Sequence, residues 1–259
     1  MAFSGKTVAN TFKDILQMDN SNAGISTSLK VVKDGAGNQS ALHIGDDNVK
    51  IKPENDDTTT LFDVQDSDSN TKFAVDTSGD TVKALGHHVN TQYKEFGLFD
   101  FSPTAGYHHP MICNNMMFSD SGTDFIADIS MFGNGTDPAT TLDISADGSP
   151  LVAAACYWYL LDNITIDQIT CLATADSNVT ATIHLVSYTL NTTLGDLSAG
   201  TLLAHNPSTY TLTASTLEPT TLTIDSADVD SGKVIVAFIE NTTDTADVSI
   251  QAVCKYHLR

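Results

Sequence analysis

Two pairs of adjacent histidines, His87-His88 and His108-His109, are the side chains of this sequence best suited to bind a metal or move a proton. In an extended strand, neighbouring side chains point to opposite faces, so neither pair can close on one ion by itself. Three chains meeting on a threefold axis could each offer one imidazole, but a histidine on such an axis is more often packed or solvated. The run Asp66-Ser67-Asp68-Ser69-Asn70 opens like a calcium loop and then departs from one. Thr71 stands where a glycine is needed, and Thr77 where a bidentate Glu is needed. A hairpin turn is the better reading, and Asp46-Asp47-Asn48 and Asp228-Val229-Asp230 are weaker still as cation sites. The cysteines, Cys113, Cys156, Cys171 and Cys254, have no CxxC spacing, which leaves a zinc ribbon unsupported; Cys156 and Cys171 lie in apolar runs and read as buried thiols. There is no G-x-S-x-G elbow, no H-E-x-x-H and no phosphate-binding glycine loop. Tyr157, Trp158 and Tyr159 could stack on sugars, but inside an apolar run they read as core. No catalytic, cofactor or metal residues are therefore assigned, and the chain is not expected to be an enzyme.

The charge pattern narrows the partners. Residues 95–232 hold 16 Asp or Glu and no Lys or Arg, and the whole chain of 259 residues carries a formal charge of −20. Phosphate contacts depend on Lys and Arg, so nucleic acid and anionic membrane surfaces are excluded as partners. No stretch approaches the ~18–20 apolar residues of a membrane span, and the first residues lack an apolar signal core. The reading is a soluble chain made in the cytoplasm, with no membrane insertion.

These side chains must be positioned by three segments. Within residues 1–24, Val8, Phe12, Ile15 and Leu16 fall on one stripe of a short helix over 5–19, stopped by Asn20-Ser21-Asn22-Ala23-Gly24. So short a helix is marginal alone and needs a surface to dock on. Residues 25–90 alternate in short pieces between turns: Leu42 and Ile44, Val49 and Ile51, then an eleven-residue repeat with Phe62 and Val64 followed by Phe73 and Val75, then Val82. Each apolar face is two or three residues long, too short to make a core within one chain; stacking along an axis or meeting equivalents from other chains is the remedy. Residues 91–259 carry longer alternating runs: Ile164, Ile166 and Ile169, then Ile183 and Leu185, then residues 234–239 and 248–253. The apolar run 151–161 reads as a central strand. About eight strands at this spacing predict an all-β head, a β-sandwich of jelly-roll type.

The run from Phe62 to Lys83, with its Phe-x-Val strands and Asp/Ser/Asn turns, resembles the shaft repeats of bacteriophage fibre proteins, departing from their usual turn at Asn70-Thr71, where a glycine is common. Residues 12–25 and 33–42 are similar to the N-terminal regions of structural proteins from marine tailed phages. The resemblance covers about the first third. It implies a homotrimer joined to a virion by its N-terminus, with Val8, Phe12, Ile15 and Leu16 as the anchor. Leu42, Ile44, Val49, Ile51, Phe62, Val64, Phe73, Val75 and Val82 would then line the trimer interface. The expected function is a virion appendage assembled in the host cytoplasm, tail-associated and adsorbing to the host surface, with other virion proteins and host polysaccharide as partners. The alternatives are a capsid fibre or decoration protein, and a polysaccharide-binding or depolymerising module.

Overall fold

The structure, a computed structural model, describes residues 16–18, 21, 23–55, 57, 59–113, 132–135, 137–143, 155–191, 195–206, 208–241 and 246–259. These residues are nearly all β, and they divide into two units, Met1–Val89 and Asn90–Arg259. Among the described residues no helix is long and apolar enough to cross a membrane.

In the first unit, turn chemistry cuts the chain into short strands. β1 (Gln17–Met18), β2 (Lys30–Lys33), β3 (Gln39–Ile44) and β4 (Val49–Ile51) form one antiparallel meander. β5 (Phe62–Gln65), β6 (Thr71–Asp76), β7 (Thr81–Ala84) and β8 (His87–His88) form a second. Of the helix expected over 5–19, Val8, Phe12 and Ile15 lie outside the described residues. At its C-terminal end the expectation is corrected: Gln17 and Met18 are strand, opposite Lys33 and Val32, and Leu16 is exposed. The open main-chain groups of β2 offer these residues strand pairing, which a helix with nothing to bury its stripe cannot match.

The second unit contains β9 (Thr91–Phe101), β10 (His109–Pro110), β11 (Trp158–Tyr159), β12 (Ile164–Ala175), β13 (Val179–Leu190), β14 (Leu197–His205), β15 (Tyr210–Leu212), β16 (Glu218–Thr221), β17 (Thr223–Ile224), β18 (Asp228–Val229), β19 (Lys233–Asn241) and β20 (Val248–Leu258). One sheet runs β16-β12-β20-β9, with β18 on β12. The other runs β10-β19-β13-β14-β17, with β11 on β19 and β15 on β13. Alternation decides which side chains face inward. From the first sheet, Ile169, Cys171 and Ala173 of β12 and Ile250, Ala252 and Cys254 of β20 enter a core shared with Ile183 and Leu185 of β13 and Ile235, Ala237 and Ile239 of β19. The inward positions of β12 switch from even (Ile164, Ile166) to odd (Ile169) across a register shift at Ile166/Gln168, where a bulge adds one residue and leaves Asp167 and Gln168 both exposed.

The central strand expected over 151–161 is corrected. Residues 155–156 are helical, and only Trp158 and Tyr159 are strand, paired to Ile235 and Val234 of β19; residues 151–154 lie outside the description. The run is apolar because Ala155, Cys156 and Leu160 pack into the shared core, not because it is long sheet.

β13 and β19 are buried on both faces. Behind the shared core, Val186 and Tyr188 of β13 and Val234, Val236 and Phe238 of β19 form a second cluster with Phe132, Leu142 and Leu197. Residues 132–135 and 137–143 form a strap on this outer face. It is held by the Tyr107–Asn134 bridge at one end and by paired Leu142–Leu197 main-chain bonds of 2.7 and 2.9 Å at the other. Gly200 lies where β14 passes under it: a Cβ there would meet Tyr188 Cε1 at 2.7 Å and Thr140 Cα at 3.0 Å. Tyr188 is fully buried and Thr140 presents backbone, so neither can move aside cheaply. Gly200→Ala is expected to lower stability by about 1–3 kcal/mol, read as a lower urea midpoint; an unchanged midpoint contradicts this packing.

Candidate functional site

The first unit is built on a repeated turn. Asp34 Oδ1 accepts hydrogen bonds from the amides of Ala36 and Asn38, both at 2.9 Å, and Oδ2 accepts from the Asn38 side chain at 2.7 Å. Asp66 does the same with Asp68 (3.0 Å) and Asn70 (2.9 Å), and both its oxygens accept from the Asn70 side chain. The main-chain closure also repeats: the aspartate amide donates to the asparagine carbonyl at 3.0 Å in each, and the fourth residue, Gly37 or Ser69, has positive φ. The Asp66 carboxylate, which opened the calcium-like run, is thus committed to its own turn. Lys72 at 2.9 Å, with the Asn70 bonds, holds its pKa down to about 2. The eleven-residue periodicity in the sequence is the strand-to-strand step of one meander. The true structural repeat is Asp-x-x-x-Asn, legible in the sequence as Asp34/Asn38 and Asp66/Asn70.

Register then gathers the apolar side chains. Leu42 faces Ile51 and Ile44 faces Val49, so these four share one face of the first meander. Phe62 faces Val75, Val64 faces Phe73 and Val75 faces Val82, so these five share one face of the second. The Phe62 and Phe73 rings meet edge to face, with centroids 6.2 Å apart. These faces are not covered: Val49 is 66% exposed, Val64 45%, Phe62 41%, Ile51 39% and Leu42 37%, while Ile44, Phe73, Val75 and Val82 are half-buried. Among the described residues of this unit, Val32 is the sole fully buried large apolar side chain.

The two histidine pairs go to different places. His87 and His88 form β8, at the edge of the second meander, pairing with Ala84 and Lys83. His108 and His109 separate to opposite sides, as strand alternation requires. His109 packs edge-on against Phe101, with ring centroids 5.0 Å apart, and its Nε2 accepts from the Thr104 amide at 3.0 Å. His108 turns to the strap side, where it meets His184 of β13 at 5.2 Å and Phe238 at 6.3 Å between ring centroids. His184 had no motif to mark it in the sequence; it is the buried polar member of an outer row on β13 that runs from Thr182 to Val186 and Tyr188.

Both histidines reach the strap through Nε2, His108 toward the Gly135 carbonyl at 3.2 Å and His184 toward Asp137 Oδ1 at 3.4 Å. Each leaves a buried Nδ1 with no hydrogen-bond partner. Burial favours the neutral ring: it lowers His108, partly offset by Glu240, and together with the adjacent His108 it holds His184 down to about 4.

All four cysteines are buried free thiols, and burial raises their pKa, Cys113 to about 11 and Cys171 and Cys254 to about 12. Thiols kept protonated in this way are poor nucleophiles. Tyr157 is half-buried, its hydroxyl donating to the Gly195 carbonyl at 3.2 Å, and Trp158 stacks at a tilt on Tyr256 at 4.9 Å. Both pack against the shared core; Tyr159 is exposed at its margin.

No family model matches the chain, and no curated protein matches it. Among solved structures it is similar to an aminopeptidase from the marine sediment archaeon Thaumarchaeota archaeon, at 9% identity and TM-score 0.29, over 70% of this chain and 38% of that one. It is also similar to the structure of infectious bursal disease virus Gx strain, at 9% identity and TM-score 0.25, over 69% of this chain and 39% of that one. The chain spans about two fifths of the length of each, and likenesses this distant carry no argument about function.

Proposed function

We propose that the chain is a structural protein of a phage virion, a homotrimer held together by its first unit. One observation carries this reading: two short meanders each gather their apolar side chains onto a single open face, in a unit with almost no interior of its own. A fold this small needs a second source of burial. Equivalent faces from other copies supply it, so Leu42, Ile44, Val49, Ile51, Phe62, Val64, Phe73, Val75 and Val82 form the contact between chains. The resemblance of the first third to phage shaft repeats supports a copy number of three. It also puts the N-terminal segment, with Val8, Phe12, Ile15 and Leu16, on another virion protein.

The second unit is then the displayed head, a β-sandwich of jelly-roll type. Its eight principal strands in chain order are β9, β10, β12, β13, β14, β16, β19 and β20. They lie 1-8-3-6 in one sheet and 2-7-4-5 in the other, the order of two interleaved Greek keys, which supports the jelly-roll reading. The absence of Lys and Arg over residues 95–232 suits display toward host-surface glycans and solvent cations better than contact with DNA. A tail-associated role in adsorption follows.

Sedimentation equilibrium of the intact chain tests the assembly. The expected result is a single species of three times the chain mass, unchanged at micromolar dilution. A stable monomer contradicts the reading.

A further inference from the structure

Between its bridged ends, the strap over the outer face of β13 and β19 is tied down by side chains. His108 and His184 hold Gly135 and Asp137, and the Tyr188 hydroxyl donates to the Ala139 carbonyl at 3.0 Å. Beneath lie Phe238, Tyr188 and Val236, all buried. We propose that residues 137–139 are an acid-released strap: proton uptake by His184 or His108 favours a form in which this span lifts and uncovers the Phe238–Tyr188 face.

The geometry leaves an added proton nowhere to go. Each ring already spends Nε2 on the strap, so a proton must settle on the buried Nδ1, where no acceptor meets it. A buried donor without an acceptor is costly, and a second cation 5.2 Å away is more so. The surrounding charges compensate little. Asp137 is 75% exposed and screened by solvent. Glu240 of β19 accepts from Thr182 Oγ1 at 2.7 Å, and His205 of β14, which faces His184 across the strand pair, is paired with Asp225 at 2.7 Å. Lifting the span exposes both rings to water and removes the penalty.

The direction with pH follows. In the closed form His184 stays neutral down to about pH 4, whereas a solvated imidazole takes up its proton near 6.5. The closed form is therefore fully favoured above about pH 6.5 and loses ground as pH falls from there toward 4. At pH 5 the opening constant rises on the order of thirtyfold over its value at pH 7.5.

Amide hydrogen exchange of the intact chain at pH 7.5 and pH 5, corrected for intrinsic exchange rates, tests this. Protection of the Gly200 amide, which donates to the strap carbonyl of Thr140 at 2.9 Å, is expected to fall on the order of thirtyfold, while the β12 and β20 amides keep theirs. His184→Gln, which cannot take up a proton, is expected to remove most of the pH dependence. Strap protection equal at the two pH values, or a loss shared by the whole unit, overturns the proposal. Should His184→Gln fail to fold, the wild-type imidazole resonances decide: His184 neutral at pH 5.5 supports the strap mechanism, and a His184 midpoint near 6.5 in the folded chain overturns it.

Discussion

Phe73→Asp is expected to convert the proposed trimer to monomers. Phe73 sits on the middle strand of the three longest in its meander, opposite both Val64 and Ala84, with the Phe62 ring against its own. If its face meets those of two other copies, the change removes three aromatic rings from one contact. Burial of a side chain of this size contributes about 1.5–3 kcal/mol. Over three copies the loss is about 4.5–9 kcal/mol, or roughly three to six decades in the association constant. Three carboxylates brought together add repulsion. The unit 2 core is untouched, so far-ultraviolet circular dichroism should show its strands intact while sedimentation shows one chain. Asp63→Asn, on the opposite face of the same meander, should leave the oligomer unchanged. A Phe73→Asp protein that sediments like the wild type would remove the central support for assembly through these faces.

The second large effect is expected at Phe238. It is fully buried at the centre of β19 under the strap, with the rings of His108, Phe132 and Tyr188 at 6.3, 6.3 and 6.4 Å. Phe238→Ala leaves a void between sheet and strap. The strap cannot sink to fill it, because Asn134 and Leu142 are held by main-chain bonds at either end. The cost should be about 3–5 kcal/mol, measured as the loss in urea unfolding free energy of the second unit. Phe99→Ala, at a position 75% exposed, should stay within about 0.5 kcal/mol of wild type. Equal effects at the two positions would mean that the strap does not cover the sheet as described.

Much of this was legible in the residues. Leu42 and Ile44, Val49 and Ile51, and Phe62 through Val75 alternate cleanly because one face of each strand is apolar and the other polar, and all of them fall in strands. In the second unit, Ile183 and Leu185, and the runs ending at Ile239 and Val253, marked inner strands for the same reason. The failures have a common cause in burial. On β13 and β19 the second face is covered by the strap, so period-two contrast disappears. Tyr188 alternates onto the strap face, away from Ile183 and Leu185, and the strap itself carries no periodicity to announce it. Within the apolar run 151–161, Ala155, Cys156 and Leu160 pack into the core beside the short strand β11, a distinction from a central strand that composition does not encode. His184 was silent for a different reason. A single histidine in a strand gains meaning only from His108, far away in the chain, and from the two carbonyl and carboxylate partners on the strap.

The paired Asp-x-x-x-Asn hairpins bear on reach. Among the described residues the two meanders share no strand pairing, and each closes its turn with its own aspartate and asparagine. Such a cassette can be duplicated or deleted without altering its neighbour's hydrogen bonding. The number of meanders in a first unit of this design is then a matter of duplication, adjustable by recombination in steps rather than by gradual substitution.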